Sequence, residues 1–323
     1  AFLSWEAIYR LKEGIDQVDL RTIPSIVGGD REKRHGIVLA KSTPAKKYNI
    51  LTGEPVASAL KKCPGLTVVP ATRAVYQKNS EALYRLLLEY TDKIERFSID
   101  ECFLDVSHSQ FIKKNPLHTA EDIRRRAKEE LGFTVNVGVA HNKLLAKMAS
   151  EFEKPDKTHT LFEEEVPLKM WPLKVEELFM VGGQTAEALH RLGIQTVGQL
   201  AKTDPALLIR KFKKQRGQQL HQYANGISDS PVAYEPLPPK SIGNTTTLAK
   251  DATNREQAHY VLLLLADKVG ARLRKAGMKG DVITISLRSS NFVNYSHQQK
   301  LFSQTDVTRT IYEAATALFD QAW

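Results

Sequence analysis

Apolar residues recur with helical spacing in three stretches of the first half of the chain. In residues 72–90 the spacing of the apolar residues predicts a long amphipathic helix. Residues 120–131 form a charged, one-sided pattern that ends at Gly132, a plausible helix C-cap. Residues 143–152 return to the helical pattern and stop before Pro155. We therefore expect three helices here.

Two other stretches of the same half have the character of strands. Residues 93–107 predict two short strands, and residues 134–140 form a β-branched run that predicts a third. Because these strands alternate with the helices along the chain, the pattern favours a mixed α/β core.

The second half of the chain changes character after Pro167. Short helical patterns cover residues 178–192, 197–201, 205–212 and 217–224, and the proline-containing residues 228–240 predict an extended linker. A small α+β module is expected beyond it. Its predicted elements are strands at 241–248, 281–289 and 299–302 and helices at 255–275 and 307–322.

Composition and charge narrow the class of protein. The 323 residues include 46 Lys and Arg against 37 Asp and Glu, a net charge of +9, and 42% are hydrophobic. This hydrophobic share excludes disorder over the whole chain, and the length suggests two or more domains. The excess of positive charge is compatible with a polyanionic partner such as nucleic acid.

Apolar runs and cysteines set further limits. The longest strictly apolar run, residues 261–266, is far shorter than the roughly 20 residues that cross a bilayer, so we expect no membrane partner. The 2 cysteines cannot form a disulfide framework, and none has zinc-site spacing, which indicates a reducing cytoplasm. The chain begins at Ala1 without Met or a signal-peptide pattern.

Two adjacent carboxylates, Asp100 and Glu101, interrupt the apolar run around Phe97 and Phe103. On a regular strand they would point to opposite faces, but at a hairpin turn both could serve one site. Carboxylates, water and phosphate oxygens are the usual ligands of Mg²⁺. The alternative is a solvated pair at an exposed turn.

Three further motifs carry positive charge or glycine. A predicted strand is followed by three lysines, Lys143, Lys147 and Lys154. They could bind phosphates, or they could form the solvent-exposed face of a helix. Thr43 and Lys46 lie near a turn and could hold a triphosphate. The Gly182-Gly183 stretch predicts a hairpin between helices, which could bind a DNA phosphate through backbone N–H groups or be an ordinary connection. Further along the sequence, a cluster of basic residues without a nearby acidic residue favours binding of DNA. The cluster comprises Arg210, Lys211, Lys213, Lys214 and Arg216.

Together these motifs resemble the Y-family translesion DNA polymerases. The stretch Ser98-Ile99-Asp100-Glu101-Cys102-Phe103-Leu104-Asp105 is followed by Val137-Gly138-Val139-Ala140-His141-Asn142-Lys143 and then by Lys154-Pro155. Within the family the chain is most similar to the bacterial polymerase IV branch, and the resemblance runs through essentially all of its residues.

The resemblance implies a right-hand polymerase, an α+β multidomain fold. The α/β palm would comprise residues 1–13 and 70–161, and small fingers residues 14–69. A helical thumb with a helix-hairpin-helix would cover 162–230, a linker 231–240, and a little finger 241–323. The family's last strand and its sliding-clamp peptide would follow Trp323, so that this last domain is truncated at its carboxyl end.

The resemblance also assigns roles to residues. Asp100 and Glu101 match the carboxylates that hold two catalytic Mg²⁺ ions, and Lys154 matches a lysine that meets the incoming triphosphate. Thr43 and Lys46 fall where the fingers bind the same phosphates, and Phe2 falls at the aromatic gate that excludes a ribose 2′-hydroxyl. The expected DNA contacts are Gly182, Gly183, Thr185, Lys211, Lys213, Lys214 and Arg216.

Three positions depart from the family pattern. The first metal-binding aspartate belongs a few residues before the gate, and we expect it in a short leading segment that precedes Ala1. Lys46 replaces the usual arginine and loses its bidentate fork. The thumb hairpin has Met180-Val181-Gly182-Gly183 instead of Gly-x-Gly.

The family activity would be template-directed addition of deoxynucleotides to a primer 3′ end, by two-metal phosphoryl transfer and without proofreading. Its partners would be primer-template DNA, deoxynucleoside triphosphates and a sliding clamp, in the cytoplasm at the nucleoid. Two rival hypotheses remain: a non-catalytic DNA-binding subunit of the same fold, and a structure-specific nuclease that uses the same metal pair.

Overall fold

The computed structural model describes residues 1–29, 36–109, 115–235 and 238–323. Backbone contacts divide the chain into two compact units. Unit 1 comprises Ala1–Ile23 and Ala71–Pro236, and unit 2 comprises Pro24–Pro70 and Leu237–Trp323. Pro236 and Leu237, which fall in the predicted linker, lie outside the described residues.

Helices and strands alternate through the first half of the chain. Its helices are α1 (Phe2–Lys12), α2 (Thr43–Lys46), α3 (Val56–Lys62), α4 (Arg73–Leu87), α5 (Pro116–Arg126) and α6 (Lys143–Glu151). Its strands are β1 (Ser25–Gly28), β2 (Val38–Lys41), β3 (Thr67–Val69), β4 (Ile94–Arg96), β5 (Cys102–Leu104), β6 (Val137–Val139) and β7 (Thr158–Thr160).

The second half is mostly helical. Its helices are α7 (Gly183–His190), α8 (Val197–Lys202), α9 (Pro205–Phe212), α10 (Lys214–Ala224), α11 (Arg255–Lys275) and α12 (Thr308–Ala322). Its strands are β8 (Gly280–Arg288) and β9 (Asn294–Thr305). Among the described residues, none of the helices combines the length and the apolar character that a membrane span requires.

The first part of unit 1 has the predicted mixed α/β character. β4 and β5 form an antiparallel hairpin, and β6 pairs in parallel with β7. The helices predicted at 72–90 and 143–152 are confirmed as α4 and α6. α5 continues as a π-helical turn, Ala127–Leu131, and ends at Gly132 with φ +78°, which confirms the predicted C-cap. The core here is aromatic, with Trp5, Tyr76, Tyr90 and Phe133 all buried.

The second part of unit 1 is a bundle of short helices around its own core. Leu145 and Met148 of α6 share this core with Met170, Leu189 and Leu208. The predicted helix at 178–192 is wrong at its start, because α7 begins at Gly183 and Met180 has φ +70°. A residue with positive φ leaves the helical path, so the chain turns before α7 begins. The helix predicted at 217–224 instead begins at Lys214.

The two segments of unit 2 have separate hydrophobic clusters. In Pro24–Pro70, β1 pairs with β2 antiparallel and with β3 in parallel, and Ile26, Val38 and Ile50 are buried beneath α3 residues. In its carboxyl-terminal part, β8 and β9 form a long antiparallel ladder that packs on α12. α11 confirms the helix predicted at 255–275. The strand predicted at 241–248 is wrong, because these residues form no ladder with another strand.

Gly138 permits the close packing of β6 against α6. A Cβ atom at this position would lie 1.9 Å from the carbonyl oxygen of Ala146 and 2.7 Å from the amide nitrogen of Ser150. Because both neighbours are backbone atoms, a side chain would push the whole of α6 away from the strand. Asn142 fixes the start of the same helix, since its side chain accepts a hydrogen bond of 2.9 Å from the Leu145 amide.

We predict that Gly138→Ala lowers the free energy of unfolding by about 3 kcal/mol, the cost of overpacking against a rigid backbone. Urea unfolding followed by circular dichroism measures this loss. Gly183→Ala is the matched control, because its Cβ would meet nothing within 4 Å. An equal loss in both variants, or no loss in Gly138→Ala, would contradict the packing argument.

Candidate functional site

The turn between β4 and β5 brings the two adjacent carboxylates together. The amides of Phe97 and Ser98 both donate to the carbonyl of Glu101, at 3.0 and 3.1 Å, which closes the turn around Asp100. The Ser98 hydroxyl lies 3.0 Å from Asp100 Oδ1 and 3.3 Å from Glu101 Oε2. The pair therefore lies at a hairpin turn, the arrangement in which both carboxylates can serve one site.

Lys147 of α6 is the direct partner of this carboxylate pair. Its ammonium bonds to Glu101 Oε1 and lies 2.8 Å from Glu151 Oε1, although its side chain is only 16% exposed. Burial lowers the pKa of Lys147, but the bonds to Glu101 and Glu151 outweigh burial and leave the pKa raised. Lys147 thus stays charged and balances Glu101.

The other two predicted lysines have carboxylate partners as well. Lys143 Nζ lies 2.5 Å from Glu95 Oε2 and 5.0 Å from the centre of the Phe103 ring. Lys154 Nζ lies 2.6 Å from Glu151 Oε2 and is 51% exposed. Glu151 therefore bridges Lys147 and Lys154. Burial raises the pKa of Glu151, yet its bonds to the two lysines lower it overall. Of the three lysines, Lys154 has the greatest exposure to meet a phosphate.

The amino end of α1 adjoins the same carboxylates. The backbone nitrogen of Ala1 lies 3.6 Å from Asp100 Oδ2. Phe2 follows and stacks on Tyr76 of α4, with ring centres 4.7 Å apart and planes at 13°. The predicted gate residue thus has a fixed aromatic support beside it.

The donor atoms at this turn suit a hard divalent cation. Asp100 and Glu101 are 32% and 38% exposed, so their oxygens can be shared with water and substrate. Carboxylate and hydroxyl oxygens with several waters match the ligand preference of Mg²⁺. Within the described ranges no group of three or more His, Cys, Asp and Glu side chains is positioned for a metal. The chain thus offers two carboxylates with the Ser98 hydroxyl between them.

The glycine hairpin and the basic cluster of unit 1 are neighbours in space. Gly182 is the N-cap of α7, and Gly183 and Thr185 lie in its first turn. The Arg216 guanidinium donates to the Met180 carbonyl at 2.5 Å, which joins α10 to this hairpin. Lys211 of α9, Lys214 of α10 and Lys213 between these helices are exposed. We call the expected DNA-binding residues, Gly182, Gly183, Thr185, Lys211, Lys213, Lys214 and Arg216, the thumb surface.

A second tight turn within this surface was not predicted. Lys213 joins α9 to α10 with φ +67°. A Cβ on Gly217 would lie 2.5 Å from the backbone nitrogen of Ile209, so the two helices can pack this closely only with glycine there. Gly217, an isolated glycine among basic residues, is the sequence feature that could have indicated this close packing of α9 and α10.

Thr43 and Lys46 lie on α2, in unit 2. The Ser42 hydroxyl caps this short helix by accepting from the Ala45 amide at 3.1 Å. Both Thr43 and Lys46 are exposed. Burial, and next the charge of Lys46, lower the pKa of Lys41, whose ammonium donates to the Ile50 carbonyl.

Three family models match the chain. The impB/mucB/samB family matches residues 5–151, its C-terminal domain matches residues 239–323, and the thumb domain of DNA polymerase iota matches residues 176–228.

Curated relatives and solved structures agree with these matches. DNA polymerase IV of Clostridium acetobutylicum is 48% identical over 323 residues, 100% of this chain and 81% of the relative. DNA polymerase IV of Acetivibrio thermocellus is 40% identical, over 98% and 79% of the two chains. A chimera of the Y-family DNA polymerases Dbh and Dpo4 superposes with a TM-score of 0.85 at 23% identity, over 99% of this chain and 91% of the chimera. This structural likeness bears on the fold alone.

We predict that Lys147→Met strengthens the binding of Mn²⁺ by about three- to tenfold, because the variant removes a cation that competes for Glu101. Titration followed by electron paramagnetic resonance measures the affinity. Lys154→Met is the control, since Lys154 bonds to Glu151 and not to Glu101. Equal affinities in the two variants would show that Lys147 does not balance the site.

Proposed function

The chain belongs to the Y family of DNA polymerases, in its bacterial polymerase IV branch, and from that premise we propose that Asp100 and Glu101 hold two catalytic Mg²⁺ ions. The enzyme adds deoxynucleotides to a primer 3′ end on a DNA template, bypasses lesions and has no proofreading. Enzymes of this family depend on divalent metal. The observation that carries the proposal is the turn of Phe97–Glu101, where two carboxylates converge on the Ser98 hydroxyl.

The metals, when bound, supply Lewis-acid activation of the primer 3′-hydroxyl and charge neutralisation at the phosphates. The protein's own residues position that chemistry. Lys147 holds the Glu101 carboxylate in one orientation before substrate arrives. Lys154 meets the triphosphate and offsets charge on the leaving pyrophosphate. For Thr43 and Lys46, considered within unit 2 by themselves, we propose a role in binding phosphates. Phe2 lies against the sugar and excludes a 2′-hydroxyl.

The thumb surface is proposed to bind the DNA backbone. Gly182, Gly183 and Thr185 offer amide and hydroxyl donors at the start of α7. Lys211, Lys213, Lys214 and Arg216 add positive charge close to them. Contacts of this kind fix the duplex in position without reading its sequence. We also propose a sliding clamp as partner, association with the nucleoid, and the palm, fingers, thumb, linker and little-finger boundaries predicted above.

We predict that Asp100→Asn and Glu101→Gln each lower primer extension by at least about a thousandfold, because each removes a negative charge that holds the metals. Gel-resolved extension with Mg²⁺ on undamaged and abasic templates measures the loss, in a version of the chain that includes the leading aspartate. Asp105→Asn is the matched control from the same motif, since Asp105 accepts from the Ser107 amide instead of facing the turn.

Two results would contradict the assignment. Wild-type extension by Asp100→Asn and Glu101→Gln would place the metals elsewhere. Binding of DNA without extension by the version that includes the leading aspartate would favour the non-catalytic subunit, and cleavage of labelled duplex without nucleotides would favour the nuclease.

We predict that replacing Lys211, Lys213 and Lys214 together with Gln reduces the salt dependence of DNA binding. The slope of log affinity against log salt should fall by about 3, one for each lost phosphate contact. Fluorescence anisotropy across a salt series measures the slope. Lys202→Gln is the control from the same helical bundle, because Lys202 lies over the Trp171 ring, 5.3 Å from its centre. An unchanged slope in the triple variant would remove the thumb surface from the DNA contacts.

A further inference from the structure

Glu6 of α1 is a completely buried carboxylate that contacts neither the proposed metal ligands nor the thumb surface. Its side chain is 0% exposed. A carboxylate in such a place is costly unless hydrogen bonds replace its lost water. Three donors do so: the Thr72 amide at 3.0 Å, the Thr72 hydroxyl at 2.9 Å and the Tyr76 hydroxyl at 2.6 Å. The Arg10 guanidinium adds positive charge 3.9 Å away.

These bonds tie α1 to the first turn of α4. Thr72 is the N-cap of α4 and has no side-chain capping bond of its own. Glu6 accepts from the amide and the hydroxyl of this N-cap residue, and its negative charge suits the positive end of the helix. Tyr76 lies one turn further along α4 and is 2% exposed. Glu6 therefore joins the two helices through buried hydrogen bonds.

Tyr76 is held by α1 at two points. Phe2 and Glu6 are four residues apart on α1 and so share one face of the helix. Phe2 stacks on the flat face of the Tyr76 ring, 4.7 Å between centres, while Glu6 binds the hydroxyl at the ring's edge. Burial and the Glu6 bond raise the pKa of Tyr76, so the hydroxyl keeps its proton and remains a donor. Trp5 lies next to both rings, with its ring centre 6.2 Å from that of Tyr76 and 6.3 Å from that of Phe2.

From this geometry we propose that Glu6 is a positioning residue for sugar selectivity, which holds Tyr76 and through it the ring of Phe2. The inference rests on the proposed role of Phe2 as the gate against a 2′-hydroxyl. A gate excludes an extra oxygen only if its ring cannot retreat by a fraction of an ångström. Tyr76 blocks that retreat, and Tyr76 itself is fixed by a short hydrogen bond to a charged group, which is stronger than a neutral one.

The test compares insertion of ribonucleotides with insertion of deoxyribonucleotides, as the ratio of their kcat/KM values. Tyr76→Phe removes the hydroxyl and keeps the ring, whereas Glu6→Gln removes the charge. Each should raise the relative use of ribonucleotides by about tenfold, the change that corresponds to one lost charged hydrogen bond. The double variant should show little further increase, because both changes break the same bond.

Tyr90→Phe is the matched control. Tyr90 belongs to the same aromatic core, and its hydroxyl also donates to a carboxylate at 2.6 Å, that of Asp122. It makes no ring contact with Phe2. Loss of the Tyr90 hydroxyl should lower the stability of the protein about as much as Tyr76→Phe does. It should leave the ratio of ribonucleotide to deoxyribonucleotide insertion unchanged. A ratio raised equally in Tyr90→Phe would assign the effect to general loosening of the core and overturn the proposal.

Phe2→Ala separates this inference from the proposed function. If Phe2→Ala raises ribonucleotide use by about a hundredfold or more while Tyr76→Phe and Glu6→Gln stay within about twofold of the unmodified protein, the gate stands and Glu6 has no part in it. If Phe2→Ala changes nothing, the gate assignment fails and this inference fails with it. Should Glu6→Gln not fold, Tyr76→Phe alone decides the outcome.

Discussion

The balance of charge at the β4–β5 turn is the interaction on which the proposed active site depends. Two like charges on neighbouring residues repel each other by roughly 1 kcal/mol in water and several times more near a protein surface. Lys147 offsets that repulsion through its bond to Glu101, and it does so from α6, a different element of the fold. The close packing of α6 on β6 at Gly138 therefore also determines where Lys147 lies relative to the carboxylates.

This arrangement also explains why the lysines of α6 differ. Lys143 and Lys147 are each 16% exposed and bonded to carboxylates, so they position other groups, whereas Lys154 is 51% exposed. Glu151 links the lysine that positions Glu101 with the lysine proposed to meet the triphosphate, because it bonds to both Lys147 and Lys154. A change at the carboxylate turn is thus linked through two side chains, Lys147 and Glu151, to the residue proposed to meet the triphosphate.

The sequence allowed most of the helices, and the position of Asp100 and Glu101 at a turn, to be predicted, because both are local patterns. α4, α6 and α11 follow from periodicity within a few turns. The strand expected at 241–248 did not form, since a β-branched run becomes a strand only where a partner strand pairs with it. The bond from Lys147 to Glu101 spans 46 residues and the one from Tyr76 to Glu6 spans 70. Contacts so distant in sequence are set by packing, and no motif records them.

Glu6 and Glu101 illustrate how environment divides carboxylates between structure and chemistry. Glu6 is 0% exposed and receives three hydrogen bonds, so its oxygens have little capacity left for a ligand. Glu101 is 38% exposed and has one lysine partner, which leaves lone pairs available to a metal and to water. Because Phe2 lies between these environments, with Ala1 beside Asp100 and Glu6 one turn further on, the helix couples the chemical site to the buried core. The position of Phe2, the proposed gate residue, is thus tied through Tyr76 to a carboxylate in the buried core.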